Sequence, residues 1–242
     1  MRSSACPVGT TSHRQTVIGP DSVGKVIPVS APARVRARLH AAPDGPLPVV
    51  HRGRDAIYLD LAGSCVGVVG TRATAVPCAL RTALDALDAG SARVTGGVLH
   101  LDDEPLVIGR IVDVTVPRLT AATTSGPAPL PGDVREMVGR GDGLTPYDDD
   151  VLCGWLAVHR GLGVPTPDAD AAIRACVDRT TLLSATLLDC AMHGEVIPEF
   201  AAWVATPDDP DRTATLAAVG HTSGRGMLQG ARFVLDHLRG AA

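Results

Sequence analysis

Residues 118–130, RLTAATTSGPAPL, decide how the rest of the chain is read. They combine small polar residues with proline and carry no periodic apolar pattern, the composition of a linker or surface crossing. The hydrophobic rhythm changes across them. Upstream, Thr16–Ile18, Val26–Val29, Ala56–Leu61, Cys65–Val69, Val94–Leu101, Pro105–Ile108 and Ile111–Val116 are short β-branched or alternating runs between Gly, Pro and Asp signals, which predicts strands. One helix is expected there, from about Ala79 to Ala89, because Leu80, Ala83, Leu84 and Leu87 fall on one stripe before Gly90. Downstream, Val134–Val138, Val151–Leu162, Ala169–Ala191, Glu199–Ala205, Thr213–Val219 and Met227–Leu238 repeat apolar residues every three or four positions, which predicts helices. The expected fold class is therefore α+β, with a strand-rich N-terminal domain (1–117), a crossing (118–130) and an all-helical C-terminal domain (131–242).

Of the 242 residues, 45% are hydrophobic and 20% charged, enough apolar material for a substantial core. The net charge is -4, and the only aromatics are Tyr58, Tyr147, Trp155, Phe200, Trp203 and Phe233. Nucleic acid and anionic membranes thus lack both their electrostatic driver and the stacking surfaces that single strands need. Lys25 is the single lysine, so Schiff-base chemistry has one candidate at most. The first 18 residues contain no apolar stretch of signal-peptide type, no run reaches the ~20 residues of a membrane span, and the cysteines form no CxxC pair. A cytoplasmic location with reduced thiols is expected.

The segment richest in chemistry is Gly139-Arg140-Gly141-Asp142-Gly143-Leu144-Thr145-Pro146-Tyr147-Asp148-Asp149-Asp150, leading into a helix expected to begin near Val151. Glycines 139, 141 and 143 permit positive φ and let backbone N–H groups converge on an anion, and a helix N-terminus would add its dipole. The plain alternative is a turn with Asp149 or Asp150 as N-cap. Three adjacent carboxylates must fan apart, share protons or hold a cation. Asp149 and Asp150 are accordingly candidates both for catalysis and as Mg²⁺ ligands.

A second unit of similar form, Gly220-His221-Thr222-Ser223-Gly224-Arg225-Gly226, opens the last helix. Ser223 or Thr222 could cap it. His221, expected to face a cleft, suits proton transfer, and Arg225 suits bidentate recognition of a carboxylate or phosphate. Between the two units, Thr181 and Ser184 share a helical face and either bond to the preceding turn or line a cavity. Gly19–Val26 mimics a phosphate-binding P-loop, but Val26 replaces the hydroxyl residue that would hold Mg²⁺.

GRGDGLTPYDDDVLCGWLA is similar to the G-x-G-x-G-L-T-P-S-G-D-D-x-L-x-G signature of the AllH-like family. TTLLSATLLDCAMHG, residues 180–194, and Gly220–Gly224 followed by Leu228 and Gly230 resemble two further elements of that family. The resemblance implies carbamoyl transfer of the oxamate carbamoyltransferase type, in which oxalurate and phosphate give oxamate and carbamoyl phosphate. It also implies partner subunits, one of them acyl-CoA-synthetase-like. Carried over position by position, it marks Gly139, Gly141, Gly143, Leu144, Thr145, Pro146, Asp149 and Asp150, then Gly220, His221, Ser223 and Gly224. The chain departs at Tyr147-Asp148, where the family has Ser-Gly, and at Arg225-Gly226.

Two expectations follow. In one, the two glycine loops enclose a small anionic substrate, oxalurate- or carbamoyl-phosphate-like. Gly139, Gly141, Gly143, Leu144, Thr145, Pro146, Tyr147, Thr181, Ser184, Ser223, Gly224 and Arg225 then bind it, and His221, Asp149 and Asp150 carry the chemistry. In the other, the chain is a noncatalytic ligand-binding or assembly subunit of a transfer complex. The first requires the two loops to meet at one cavity.

Overall fold

The computed structural model describes residues 25–120 and 126–240. The strand-rich half folds into one nine-stranded sheet. Its strands are β1 (Ile27–Pro32), β2 (Gly45–Pro46), β3 (Val49–Arg52), β4 (Ala56–Leu61), β5 (Ser64–Val69), β6 (Ala79–Thr82), β7 (Ala92–Thr95), β8 (Val98–Leu101) and β9 (Glu104–Val112), in spatial order β2-β7-β8-β9-β1-β6-β5-β4-β3. Two of the contacts are parallel, β1 with β9 and β5 with β6. The helical half holds α2 (Val134–Met137), α3 (Tyr147–Gly161), α4 (Pro167–Arg174), α5 (Leu182–Met192), α6 (Pro198–Ala205), α7 (Pro210–Ala217) and α8 (Ser223–Gly240). The fold is α+β, strand-rich first and helical second. Among the described residues no helix is long and apolar enough to cross a membrane.

Several local expectations need correction. No helix spans 79–89: Ala79–Thr82 is β6, hydrogen-bonded between β1 and β5. Its alternation, with Leu80 and Thr82 buried and Arg81 exposed, outweighs the helical stripe because strand pairing on both edges overrides weak local propensity. A helix instead occupies Ala33–Ala41 (α1), burying Val35 and Leu39, an i, i+4 pair. The run Val94–Leu101 is a hairpin, turned at Gly96 and Gly97, whose φ values of 56° and 75° suit a two-residue turn of this handedness. Pro105–Ile108 and Ile111–Val112 fuse into β9, while Val114–Val116 leave the sheet to pair with residues 194–196. The expected strand Thr16–Ile18 and the Gly19–Gly24 part of the P-loop-like stretch lie outside the described residues.

Downstream, the expected helix over 169–191 is broken. α4 ends at Arg174, a single 3-10 turn covers Val177–Arg179, and Thr181 caps α5 by accepting the Ser184 N–H at 3.0 Å. Hydroxyl capping by Thr181 offers the backbone an alternative to continuing the helix. The helix α3 begins at Tyr147 rather than Val151, so Asp148, Asp149 and Asp150 all lie within its first turn and Pro146 stands at the N-cap.

The halves keep separate apolar cores. Ile27, Val35, Leu59, Leu80 and Leu99 lie in one, and Leu152, Trp155, Ile173, Phe200 and Trp203 in the other. Tyr58, Cys65 and Cys78 from the sheet meet Leu183 and Cys190 of α5 in a third cluster that joins them. Arg34 and Arg38 of α1 both bond Asp189 of α5, and Arg34 also pairs with Glu195 at 3.3 Å, tying the halves at a second point. The described flanks of residues 118–130 lie on the helical half: Ala128 is buried and its N–H donates to His159 Nε2 at 3.0 Å.

Candidate functional site

Helices α3 and α8 cross at very close range, and glycine is the reason. A Cβ on Gly230 would lie 1.9 Å from the Val151 carbonyl oxygen, one on Gly154 would lie 2.1 Å from that of Met227, and one on Gly226 would lie 2.8 Å from Asp150 Cβ. Backbone-to-backbone approach of this kind admits no side chain. It sets the start of α8 directly against the first turn of α3. The two glycine loops meet there: Thr145 Oγ1 lies 2.8 Å from Ser223 Oγ.

The three carboxylates take three directions, as successive residues do at ~100° intervals around a helix. Asp148, itself buried, bonds the exposed Arg140 guanidinium. Asp149 is fully buried: Oδ1 accepts from the Gly139 N–H at 2.8 Å, and Oδ2 accepts from Thr180 Oγ1 at 2.5 Å and Ser184 Oγ at 2.6 Å. One carboxylate thus fixes the glycine loop, the turn before α5 and α5 itself. Thr181 completes this knot by donating to the Leu144 carbonyl at 2.5 Å. Asp150 points the third way, into a cavity of about 200 Å³ between the sheet and the helices. Its Oδ2 is buried and has no hydrogen-bond partner among the described residues. Burial pushes its ionisation up to about 7; the hydroxyls of Ser223 and Thr145 oppose that shift, and the neighbouring charge of Asp149 adds to it.

The cavity wall is largely apolar. Leu183, Leu187 and Phe200 come from the helices, and Tyr58, Val76 and Pro77 from the sheet half. Its polar groups are Asp150, Thr145, Ser223, Thr74, Tyr58 and, between α5 and α6, Glu195; among the described residues no Arg, Lys or His lines it. Cys153 is also in the wall, but burial, followed by the charges of Asp150 and Asp149, drives its thiol well above the ordinary range. A neutral thiol is a poor nucleophile.

Residues 137–235 match the AllH family model, described as oxamate carbamoyltransferase subunit AllH. No solved structure matches the chain significantly. The match begins at Met137 in α2, covers both glycine loops and ends within α8, so every side chain of the Asp149 knot and the α3–α8 crossing belongs to the AllH-matched segment.

The residues expected at the site fall into distinct groups. Leu144, Thr145, Asp150 and Ser223 line the cavity, with Gly220 beside them. Gly139, Asp149, Thr181 and Ser184 support it from behind. Gly224 packs α8 on α7, where a Cβ would meet the Leu216 carbonyl oxygen at 1.7 Å, and Pro146 is buried at the head of α3. Gly141 and Gly143 are exposed at φ 121° and 92°. Tyr147 turns outward, its hydroxyl donating to Gln229 Oε1 at 2.6 Å. His221 and Arg225, expected to face the cleft, are both exposed and outside the cavity wall: His221 stands in the turn before α8, and the burial of Gly224 and Gly226 leaves Arg225 on the outer face of that helix. Among the described residues no group of three or more His, Cys, Asp or Glu side chains is placed to hold a metal ion, and Asp149, expected as an Mg²⁺ ligand, is already occupied by three neutral donors.

The sheet-half and α5–α6 lining, Tyr58, Thr74, Val76 and Glu195, is not among the residues expected from sequence. Glu195 follows the expected helix 169–191 and carried no motif, and the sheet residues reach the cavity only through the tertiary packing of the halves.

Proposed function

We propose that this chain is a subunit of a carbamoyl-transfer system, and that the cavity holds the carbamoyl or ureido end of a small substrate. The observation that carries this reading is the buried, unpartnered Oδ2 of Asp150 inside a segment matched to the oxamate carbamoyltransferase subunit AllH. A buried acceptor without a donor costs about 1–3 kcal/mol, and a ligand N–H would relieve it. A carbamoyl group offers two N–H donors to Asp150, while its carbonyl oxygen accepts from the hydroxyls of Thr145 and Ser223, 2.8 Å apart at the same end of the cavity.

The charge of the lining sets the orientation. Among the described residues no cationic side chain lines the wall, and Glu195 is already matched by Arg34, so the interior offers a carboxylate or phosphate on the substrate no counter-charge. Such a substrate enters carbamoyl end first and leaves its anionic end at the mouth, near Leu144 and Gly220. An ionisation near 7 lets Asp150 exist in either protonation state at neutral pH. In transfer from a ureido acid to phosphate, the bond between the carbamoyl carbon and the leaving amide nitrogen breaks while a phosphate oxygen bonds that carbon. The departing nitrogen takes a proton from Asp150, and the phosphate's proton restores it. General-acid assistance of this kind is worth about 10²–10⁴ in rate. His221, in the turn before α8, and Arg225, on the outer face of that helix, serve docking of partner subunits in this reading.

The test is carbamoyl phosphate formation from carbamoylated acids by the purified chain, alone and with its partner subunits, for wild type and Asp150→Asn. A loss of about a hundredfold or more in the variant, with the fold intact, supports the reading. Unchanged turnover, or unchanged ligand affinity, defeats it.

A further inference from the structure

A second cavity, about 230 Å³, lies against the sheet face turned toward the helical half. Three neighbouring strands build it, and their register brings two arginines to one place. Ser30 of β1 pairs with Arg81 of β6 on one side and with Arg110 of β9 on the other. The second pairing depends on a bulge. Val29 pairs with Ile108, then Ser30 with Arg110, so Gly109 is skipped. In regular register Gly109 would oppose Ser30 and Arg110 would oppose Ala31, which is fully buried in the sheet core. The bulge turns Arg110 out of the core and onto the face of Ser30 and Arg81, a known use of such irregularities.

The two guanidinium groups therefore flank one hydroxyl, with their strands separated by roughly twice the ~4.8 Å strand spacing. Within reach of flexible side chains, that is a gap one tetrahedral oxyanion can bridge. Several arginines of this half are matched by carboxylates, Arg34 and Arg38 with Asp189, Arg72 with Asp55, Arg93 with Asp103, and Arg36 and Arg54, which are not matched among the described residues, line neither this cavity nor the Asp150 cavity. Among the described residues Arg81 and Arg110 form neither a salt bridge nor a side-chain hydrogen bond, although both line the cavity. Asp113, the one carboxylate of the lining, is occupied by Thr115, whose N–H donates to Oδ1 at 2.8 Å. Val76 lines this cavity and the Asp150 cavity alike, so the two are separated by a single segment of chain.

We propose that Arg81, Ser30 and Arg110 form a phosphate-binding site, taking inorganic phosphate or the phosphoryl group of a small molecule. Guanidinium forks match phosphate oxygens, and a serine hydroxyl between them supplies the third donor. The site stands on strand register and unmatched charge, and does not depend on what occupies the Asp150 cavity.

The experiment is titration of the full chain with inorganic phosphate at constant ionic strength, followed by calorimetry, for wild type, Arg81→Gln, Arg110→Gln and Asp150→Asn. Saturable binding by wild type and Asp150→Asn, weakened at least about tenfold in each arginine variant, is the expected result. Sodium acetate in place of phosphate should bind more weakly; equal binding would overturn the assignment to phosphate. Absence of saturable binding in wild type, or equal affinity in the arginine variants, would overturn the site itself. Both arginines are exposed, so unchanged melting of the unliganded variants excludes a folding artefact. Loss of phosphate binding in Asp150→Asn alone would place the ion in the other cavity and overturn this proposal while leaving the carbamoyl reading standing.

Discussion

Replacing Asp150 by Asn should make the protein more stable at alkaline pH while impairing the cavity, and the size of the gain can be worked out. In the unfolded chain Asp150 ionises at its ordinary 3.8; in the fold, burial raises that to about 7. Between these values the folded state holds a proton that the unfolded state has released, so stability falls as pH rises. The protonated form's contribution is fully present below pH 3.8 and lost once the pH passes about 7. At 1.36 kcal/mol per pH unit, holding an ionised Asp150 costs roughly 4 kcal/mol at pH 8. Asparagine has nearly the same shape and no charge to bury. Urea unfolding followed through Trp155 and Trp203, both buried in the helical core, should show Asp150→Asn more stable than wild type by up to about 4 kcal/mol at pH 8 and nearly equal at pH 4. Parallel pH profiles for the two proteins, or a variant less stable at pH 8, would refute the claim that Asp150 is a desolvated, poorly matched carboxylate. A residue that lowers stability where it stands and gains when neutralised is a common mark of a site kept for function.

Three further outcomes follow from the same geometry. Asp149→Ala orphans the Gly139 N–H and the hydroxyls of Thr180 and Ser184 together, and should cost roughly 3 kcal/mol or more in denaturant unfolding, far beyond an ordinary surface change. Thr145→Val removes a hydroxyl that holds the Asp150 ionisation down, so the midpoint of the carboxyl's titration by NMR should move above that of wild type. Gly230→Ala forces a methyl group to within 1.9 Å of the Val151 carbonyl and should cost at least 1–3 kcal/mol by thermal melting, whereas Gly143→Ala, with open space around it and φ of 92°, should cost only about 1 kcal/mol of backbone strain.

The division into a strand-rich and a helical half was legible because hydrophobic period survives at low resolution, and residues 118–130 interrupt it. Individual elements were misread where two periods coincide. Leu80, Ala83, Leu84 and Leu87 fit a helical stripe, yet Leu80 and Thr82 also fit a strand, and only the flanking β1 and β5 decide between them. The register that places Arg110 beside Ser30 had no local signal beyond a glycine at 109. At the site, the meeting of the two glycine loops was legible as a pair of matching turn-to-helix units. What stayed hidden was which face of α8 each side chain takes. By chemistry alone His221 and Arg225 belong in the cleft, because both suit an anion. Gly224 and Gly226 decide otherwise, since these are the positions pressed against α7 and α3, and the two longer side chains are left on the outside.

That distinction changes what the matched motif means physically. Its glycines look like a ligand cradle, but Gly139, Gly154, Gly224, Gly226 and Gly230 all occupy places where a Cβ would collide with backbone or a neighbouring side chain; their function is close packing of α3, α7, α8 and the turn before α5. The acidic triplet shows the same economy. Three like charges in one helical turn are tolerable because one is matched by the exposed Arg140, one is saturated by neutral donors, and one is exposed only to a cavity. The close packing creates the enclosure and Asp149 holds its floor in place, which leaves Asp150 as the carboxylate with an unmet hydrogen-bonding need. A site built this way selects for a ligand that brings its own donors, and a carbamoyl group does so without bringing charge into an interior where Glu195 is matched by Arg34 and Asp150 is matched by no cation among the described residues.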